Sequence, residues 1–209
     1  MPRTVDSFNR LLAAHRALAR AAGSGLFPPL SDEGLARLRS IVPVPDELAE
    51  LLTLHDGQED RTVGLPMWSR LLSADEIAKL YADALVTATE YAAKYDEYYG
   101  FIGNDAQFEP LVKYDRYWRA GWVPFAQFQG NIWFIDNDPG PEGIEGQIVY
   151  SEPGIDPPIG VLANHMSGLF ERLLVELEAG RSQDDGFGGR VVSIGALTPS
   201  ELQTMIDKK

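Results

Sequence analysis

The stretch WVPFAQFQGNIWFIDNDPGPEGIEGQIVY, residues 122–150, reads as three strands joined by one short and one long turn. WVPFAQF and NIWFID are rich in aromatic and β-branched residues and are separated only by Gln129-Gly130, the pattern of a tight hairpin. Gln147 to Tyr150 supplies the third strand. In the longer connection, Pro139-Gly140 is turn chemistry, and the short side chains of Asp136 and Asp138 suit Asx turns. A connection of about nine residues is more than adjacent strands need, and long, tightly specified loops often carry recognition.

The two aspartates also raise the question of a metal or an acid–base pair. With Asp136 as the first position of a calcium loop, the sixth is Pro141 instead of glycine and the twelfth is Gln147 instead of glutamate. An EF-hand is therefore rejected. From Asn131 to Gly160 there are six acids and no lysine or arginine. A loop of one sign on a rigid hairpin makes a docking edge, with Asp136, Asp138, Glu142 and Glu145 as its rim charges.

Outward from this hairpin the chain is mostly helical. Val5, Phe8, Leu11, Leu12, His15, Leu18 and Ala19 form an apolar stripe that predicts a helix over about 5–22, and Arg3, Arg10, Arg16 and Arg20 make it a basic island. Short helices follow at 32–40, capped by Ser31 or Asp32, and at about 46–55, closed by Gly57. Ser73 and Glu76 form a capping box for a long helix through roughly residue 96. The segment 98–120 reads as irregular and aromatic, with a strand near Leu111 to Trp118. A further helix is predicted at about 162–179. RSQDDGFGG after Gly180 is a linker by composition, VVSIGAL reads as a short strand, and Thr198-Pro199-Ser200-Glu201 starts a terminal helix. Of the 21 aromatic residues, 15 lie between Tyr81 and Phe134, too many to bury completely. Tyr98, Tyr99 and Trp118 are therefore candidate anchors for a partner.

A chain of 209 residues with no cysteine excludes disulfides, thiolate catalysis and zinc–thiolate sites. The three histidines are far apart and none sits in an HExxH motif. No GxSxG elbow, SxxK pair, phosphate loop or GxGxxG fingerprint is present, so no cofactor is expected. The polar N-terminal sequence and the lack of a long apolar run lead to the expectation of a soluble cytoplasmic protein without membrane contact. A formal charge of −13 argues against nucleic acid as a partner and favours a basic protein.

HDGQ after a leucine-rich helix, then WVPFA, then FIDNDPGPEGIEGQIVY, resembles the SUKH superfamily, the group of the fungal cell-wall-assembly (β-glucan synthesis) regulator and of bacterial toxin-immunity proteins. The likeness covers roughly residues 31–179. It implies an α+β fold, a mostly antiparallel central sheet with helices packed against it, and no catalytic centre. The chain divides into a single SUKH-like domain over 1–180 and a linker with a short strand/helix extension over 181–209; the extra basic helix at about 3–22 and the tail after 180 depart from the family's common core. The helix and aromatic loop at 73–120 look longer than the family requires. Bacterial members commonly bind and neutralise a cognate toxin, often a nuclease; fungal members act as regulatory scaffolds. The long flanks of the fungal regulator are not visible, which favours the bacterial type. The expected function is non-enzymatic binding of a protein, a basic toxin domain. A cell-wall regulatory scaffold is the first alternative, and a hydrolase using Asp136 and Asp138 is the second.

Overall fold

A computed structural model describes residues 3–19, 25–59, 69–99, 110–113, 118–151, 160–184 and 190–207, with the side chains of 91–99 and 206–207 outside that description. The elements in chain order are α1 (Thr4–Leu18), α2 (Asp32–Arg39), α3 (Asp46–Leu52), β1 (Arg70–Leu71), α4 (Ala74–Tyr99), β2 (Trp122–Phe128), β3 (Asn131–Asp136), β4 (Gln147–Ser151), β5 (Gly160–Ala163), α5 (Met166–Glu178), β6 (Gln183–Asp184), β7 (Arg190–Val191) and α6 (Pro199–Asp207). β1 to β5 form one antiparallel sheet in sequence order, and β6 pairs with β7 separately. The fold is α+β, as the residue pattern implies. None of the described helices is long and apolar enough to cross a membrane.

The sheet is buried on both faces, which explains why its strands read as nearly continuous apolar runs. Trp133 and Ile135 of β3, Ile148 of β4 and Leu162 of β5 join a large cluster with Phe8 and Leu11 of α1, Leu48, Leu51 and Leu52 of α3, and Leu169, Phe170 and Leu173 of α5. The alternate residues Phe134, Val149 and Val161 join a second cluster with Leu111, Val112, Trp118, Trp122, Ala84 of α4 and Leu202 of α6. The register pairs Trp122 with Asp136 and Asp136 with Gln147. By the same alternation, Asp136 and Gln147 belong to the second face, at the end of the strands.

Local chemistry fixes the helix starts. Ser31 Oγ accepts from the Gly34 N–H at 3.1 Å. Ser73 N–H donates to Glu76 Oε2 at 2.9 Å, while Glu76 also takes both Arg70 guanidinium nitrogens, at 2.6 and 3.0 Å. The Thr198 N–H donates to Glu201 Oε2 at 2.8 Å at the head of α6. Gln129 and Gly130 take φ of 49° and 90°, the left-handed pair that closes a two-residue hairpin.

Two expectations are corrected. The late helix starts at Met166 and not at 162, because Gly160–Ala163 pairs with β4 and His165 stands in extended conformation as the N-cap. Of the strand expected near Leu111 to Trp118, the main chain at 110–113 forms no part, its carbonyls receiving donors from the 137–146 loop and from Gln147 instead, and 114–117 lie outside the described residues. The first helix is described through Leu18, with 20–24 outside the described residues.

α1 is part of the main core. Phe8 is 1% exposed and meets Phe170 edge-on at 5.3 Å between ring centroids. Ser7 Oγ and Arg10 both donate to Glu171 of α5, at 2.8 and 2.7 Å. Phe8→Ala is expected to cost roughly 3–5 kcal/mol, whereas Leu18→Ala, at a half-exposed position, stays within about 0.5 kcal/mol. Urea unfolding of both variants checks this, and equal effects would show that α1 is not docked as described.

Candidate functional site

The 137–146 connection folds back onto the chain at 110–113 and 118–121. Asp136 lies beneath it with 0% exposure. Its Oδ1 accepts the Asp138 N–H at 2.9 Å, an Asx turn, and its Oδ2 accepts Gln147 Nε2 at 3.0 Å. The Asp136 carbonyl accepts the Gly146 N–H at 2.8 Å. Gln147, also fully buried, donates to the Leu111 carbonyl at 2.7 Å and accepts the Ile144 N–H at 3.1 Å. One carboxylate and one amide thus anchor both ends of the loop and its backing segment. Burial holds the Asp136 carboxyl above the ordinary carboxylate value, opposed by the bonds from Gln147 and the Asp138 N–H.

The loop lies against its support at main-chain distance. Gly140 N–H donates to the Leu111 carbonyl at 2.9 Å and Glu142 N–H to the Pro110 carbonyl at 2.7 Å. A Cβ on Gly140 would stand 2.4 Å from the Pro110 oxygen, and one on Gly143 would stand 2.2 Å from the Leu111 oxygen. The recurring glycines therefore report close approach of two backbones.

Asp138 closes the other side. Its carboxylate takes the Lys113 ammonium and the Arg119 guanidinium, the latter through Nε at 2.8 Å as well as Nη2. These bonds, that of Lys113 foremost, hold its carboxyl below the ordinary value. The six-acid, cation-free reading of residues 131–160 thus missed two cations that arrive from another segment.

The predicted docking residues therefore divide. Asp136 is buried and not a rim charge, because its carboxylate is used by Gln147 and the Asx turn. Asp138 is already paired with two cations. Trp118 is 5% exposed, packed edge-on to Trp122 at 5.5 Å, and is core instead of anchor. Its burial follows from the second face of the sheet, which sequence alone did not reveal. Glu142 and Glu145 are exposed, and neither has an ion-pair partner among the described residues. Tyr98 and Tyr99 end α4, but their side chains lie outside the described residues. Among the described residues no cluster of three or more acidic or histidine side chains is placed to hold a metal ion.

HDGQ is a second structural node. Asp56 Oδ1 caps α4 by accepting the Ala74 N–H at 2.7 Å. Gly57 turns the chain with φ of 85°, its carbonyl accepts the Phe27 N–H at 3.0 Å, and Gln58 N–H reaches the Leu71 carbonyl at 3.1 Å. His55 Nδ1 lies 3.1 Å from the Phe27 carbonyl. The motif stitches residues 25–30, the end of α3, β1 and the head of α4 together.

Both nodes and the hairpin between them fall inside residues 29–172, the span over which the chain matches the SMI1 / KNR4 family (SUKH-1). The chain belongs to that family. No curated protein matches it. Membership in SUKH-1 fits an immunity or a regulatory role. The match leaves out α1, the second half of α5 and everything after it.

The two loop aspartates have opposite pH signatures. Between 3.8 and its raised value Asp136 binds more proton in the native than in the unfolded state, so its contribution to stability falls as pH rises through that window. Asp138 is held below 3.8, so its contribution is present above 3.8 and is lost as pH falls through the depressed value. Asp136→Asn sets an amide donor against one of two incoming donors and is expected to cost about 1–3 kcal/mol near pH 4, and less near pH 7. Asp138→Asn is expected to cost about 1 kcal/mol or less near pH 7, screened by salt, and to become neutral in acid. Urea titrations at the two pH values test both; parallel profiles would contradict the assignment.

Proposed function

We propose that this SUKH-1 protein is a non-enzymatic binding domain that neutralises a cognate toxin, often a nuclease in this family, by stoichiometric occlusion of a basic surface. The observation that carries the reading is the division of labour in the 137–146 loop. Asp136, Gln147 and Asp138 brace it from within, and Glu142 and Glu145 stand exposed on the braced frame. A preformed loop loses little conformational freedom on association, so its exposed charges serve affinity without an ordering cost. The formal charge of −13 adds long-range steering of a basic partner.

The hydrolase alternative loses its geometry, because Asp136 is shut away from any substrate and Asp138 is neutralised by two cations. Tyr98 and Tyr99 remain proposed anchors in addition to the two glutamates. Their position at the end of the 26-residue α4 puts them beyond the Ala84 and Ala88 turns that pack on the second face.

The test is rescue and binding together. Co-expression of this chain with the toxin whose activity it blocks should restore growth, and the purified pair should form a one-to-one complex. Glu142→Lys with Glu145→Lys should weaken that complex by about ten- to a hundredfold and reduce its salt dependence, with the fold unchanged. Association that ignores ionic strength contradicts the charge mechanism. Loss of cell-wall integrity on deletion in a cell without any such toxin would favour the regulatory scaffold.

A further inference from the structure

A cleft of about 360 Å³ lies between α5 and the segment after β7, and it shares no lining residue with the 137–146 loop or with HDGQ. Gly168, Arg172 and Val175 of α5 form one wall, Ile194 and Gly195 form the other, and Met205 of α6 adds to the lining. The outer wall is fixed in place. Val191, Val192 and Leu202 are buried, and the Leu197 N–H donates to the Val161 carbonyl of β5 at 2.7 Å. Arg172 donates to the Leu162 carbonyl and, at 3.2 Å, to the Gly195 carbonyl. The cleft is therefore preformed, and its size falls in the range of small-molecule sites, roughly 300–1,000 Å³.

The charges around the cleft differ in their partners. Glu171 accepts from Ser7 Oγ at 2.8 Å and from Arg10 at 2.7 Å, and Glu176 is held by Arg181 through two bonds, at 2.6 and 2.9 Å. Arg172, by contrast, has no carboxylate within ion-pair distance among the described residues. Its two partners are main-chain carbonyls, which occupy two of its five N–H donors and leave its charge in place. Burial holds the guanidinium below its ordinary value, opposed only by the more distant charges of Glu201 and Glu176. The Glu201 carboxylate is itself engaged, accepting from the Thr198 N–H and Oγ1. A half-buried cation with donors to spare thus stands beside Val175, an apolar side chain left 54% exposed. A carboxylate on an apolar body complements both.

We propose that this cleft binds a small carboxylic acid with a short apolar body, its carboxylate on the Arg172 guanidinium and its chain against Val175, Ile194 and Met205. The Arg172 N–H groups not used by Leu162 and Gly195 supply the charge-assisted bonds. The ligand touches α5 and the C-terminal segment together, so its binding adds to the stability of their contact. Val175, Ile194, Gly195 and Met205 lie outside the family's matched span, so half of the site belongs to the part of the chain beyond it. The site goes beyond the proposed function, and its test needs no protein partner.

NMR titration of the full chain with hexanoate, hexanol and hexylamine in turn tests this. Hexanoate should shift the amides of Val175, Ile194 and Gly195 saturably and bind at least about tenfold more tightly than either of the others. The net charge of −13 alone would favour the amine, so a preference for the carboxylate reports the cleft. Arg172→Gln should remove that preference. Val175→Asp, at an exposed position that leaves the Arg172 bonds intact, should weaken hexanoate by about tenfold or more through like-charge repulsion. Equal binding of the three probes, no saturable shift in the cleft, or wild-type affinity in the Val175→Asp variant would overturn the proposal. Binding of a peptide ending in leucine without binding of hexanoate would equally overturn it, in favour of a protein C-terminus.

Discussion

The buried contact between Asp136 and Gln147 is what the signature half of the molecule depends on. The two residues face each other across β3 and β4, both fully buried, and a third partner, the Leu111 carbonyl, completes the set. A carboxylate taken out of water is costly unless its lone pairs are met, and here a side-chain amide and a main-chain N–H meet them. Because the same residues terminate both strands, the loop between them has little freedom to rearrange. The consequence reaches Asp138, which that turn aims at Lys113 and Arg119, and Gly140 and Gly143, which must lie flat on Pro110 and Leu111.

Sequence patterning exposed the elements whose signals are local. The Gln129-Gly130 hairpin, the Ser73–Glu76 and Thr198–Glu201 boxes and the Ser31 cap all depend on residues a few positions apart, and all stand as read. What the sequence hid was long-range. Leu162 belongs to an apolar run that suits a helix or a buried strand equally, and only pairing with β4 assigns it to β5. Trp118 looks like an exposed anchor until the second face of the sheet is known to be covered. Asp136 and Asp138 look alike in the sequence, yet one is buried by the register of β3 and the other is drawn to cations from 113 and 119. The alternation of β3, with Trp133 and Ile135 on one face and Phe134 on the other, was the available signal that Asp136 points inward.

The fold joins a core inside the family's matched span to margins outside it. The family's matched span supplies the two stitched nodes, HDGQ and the loop after β3, and both are satisfied from within. The segments outside that span sit at the margins. α1 locks onto α5 through Phe8 and through Glu171, while the segment after β7 crosses the edge of β5. We propose that recognition is left to features that the core does not need for its own stability, Glu142 and Glu145 on the loop foremost.

The most direct measurement is a pH titration of the carboxyl carbons of Asp136 and Asp138 by NMR in the intact protein. If the loop is braced as described, Asp136 titrates above the ordinary carboxylate value and Asp138 below it. If both titrate at the ordinary value, as solvent-exposed carboxylates do, then the two acids are free on the surface and the braced loop is wrong.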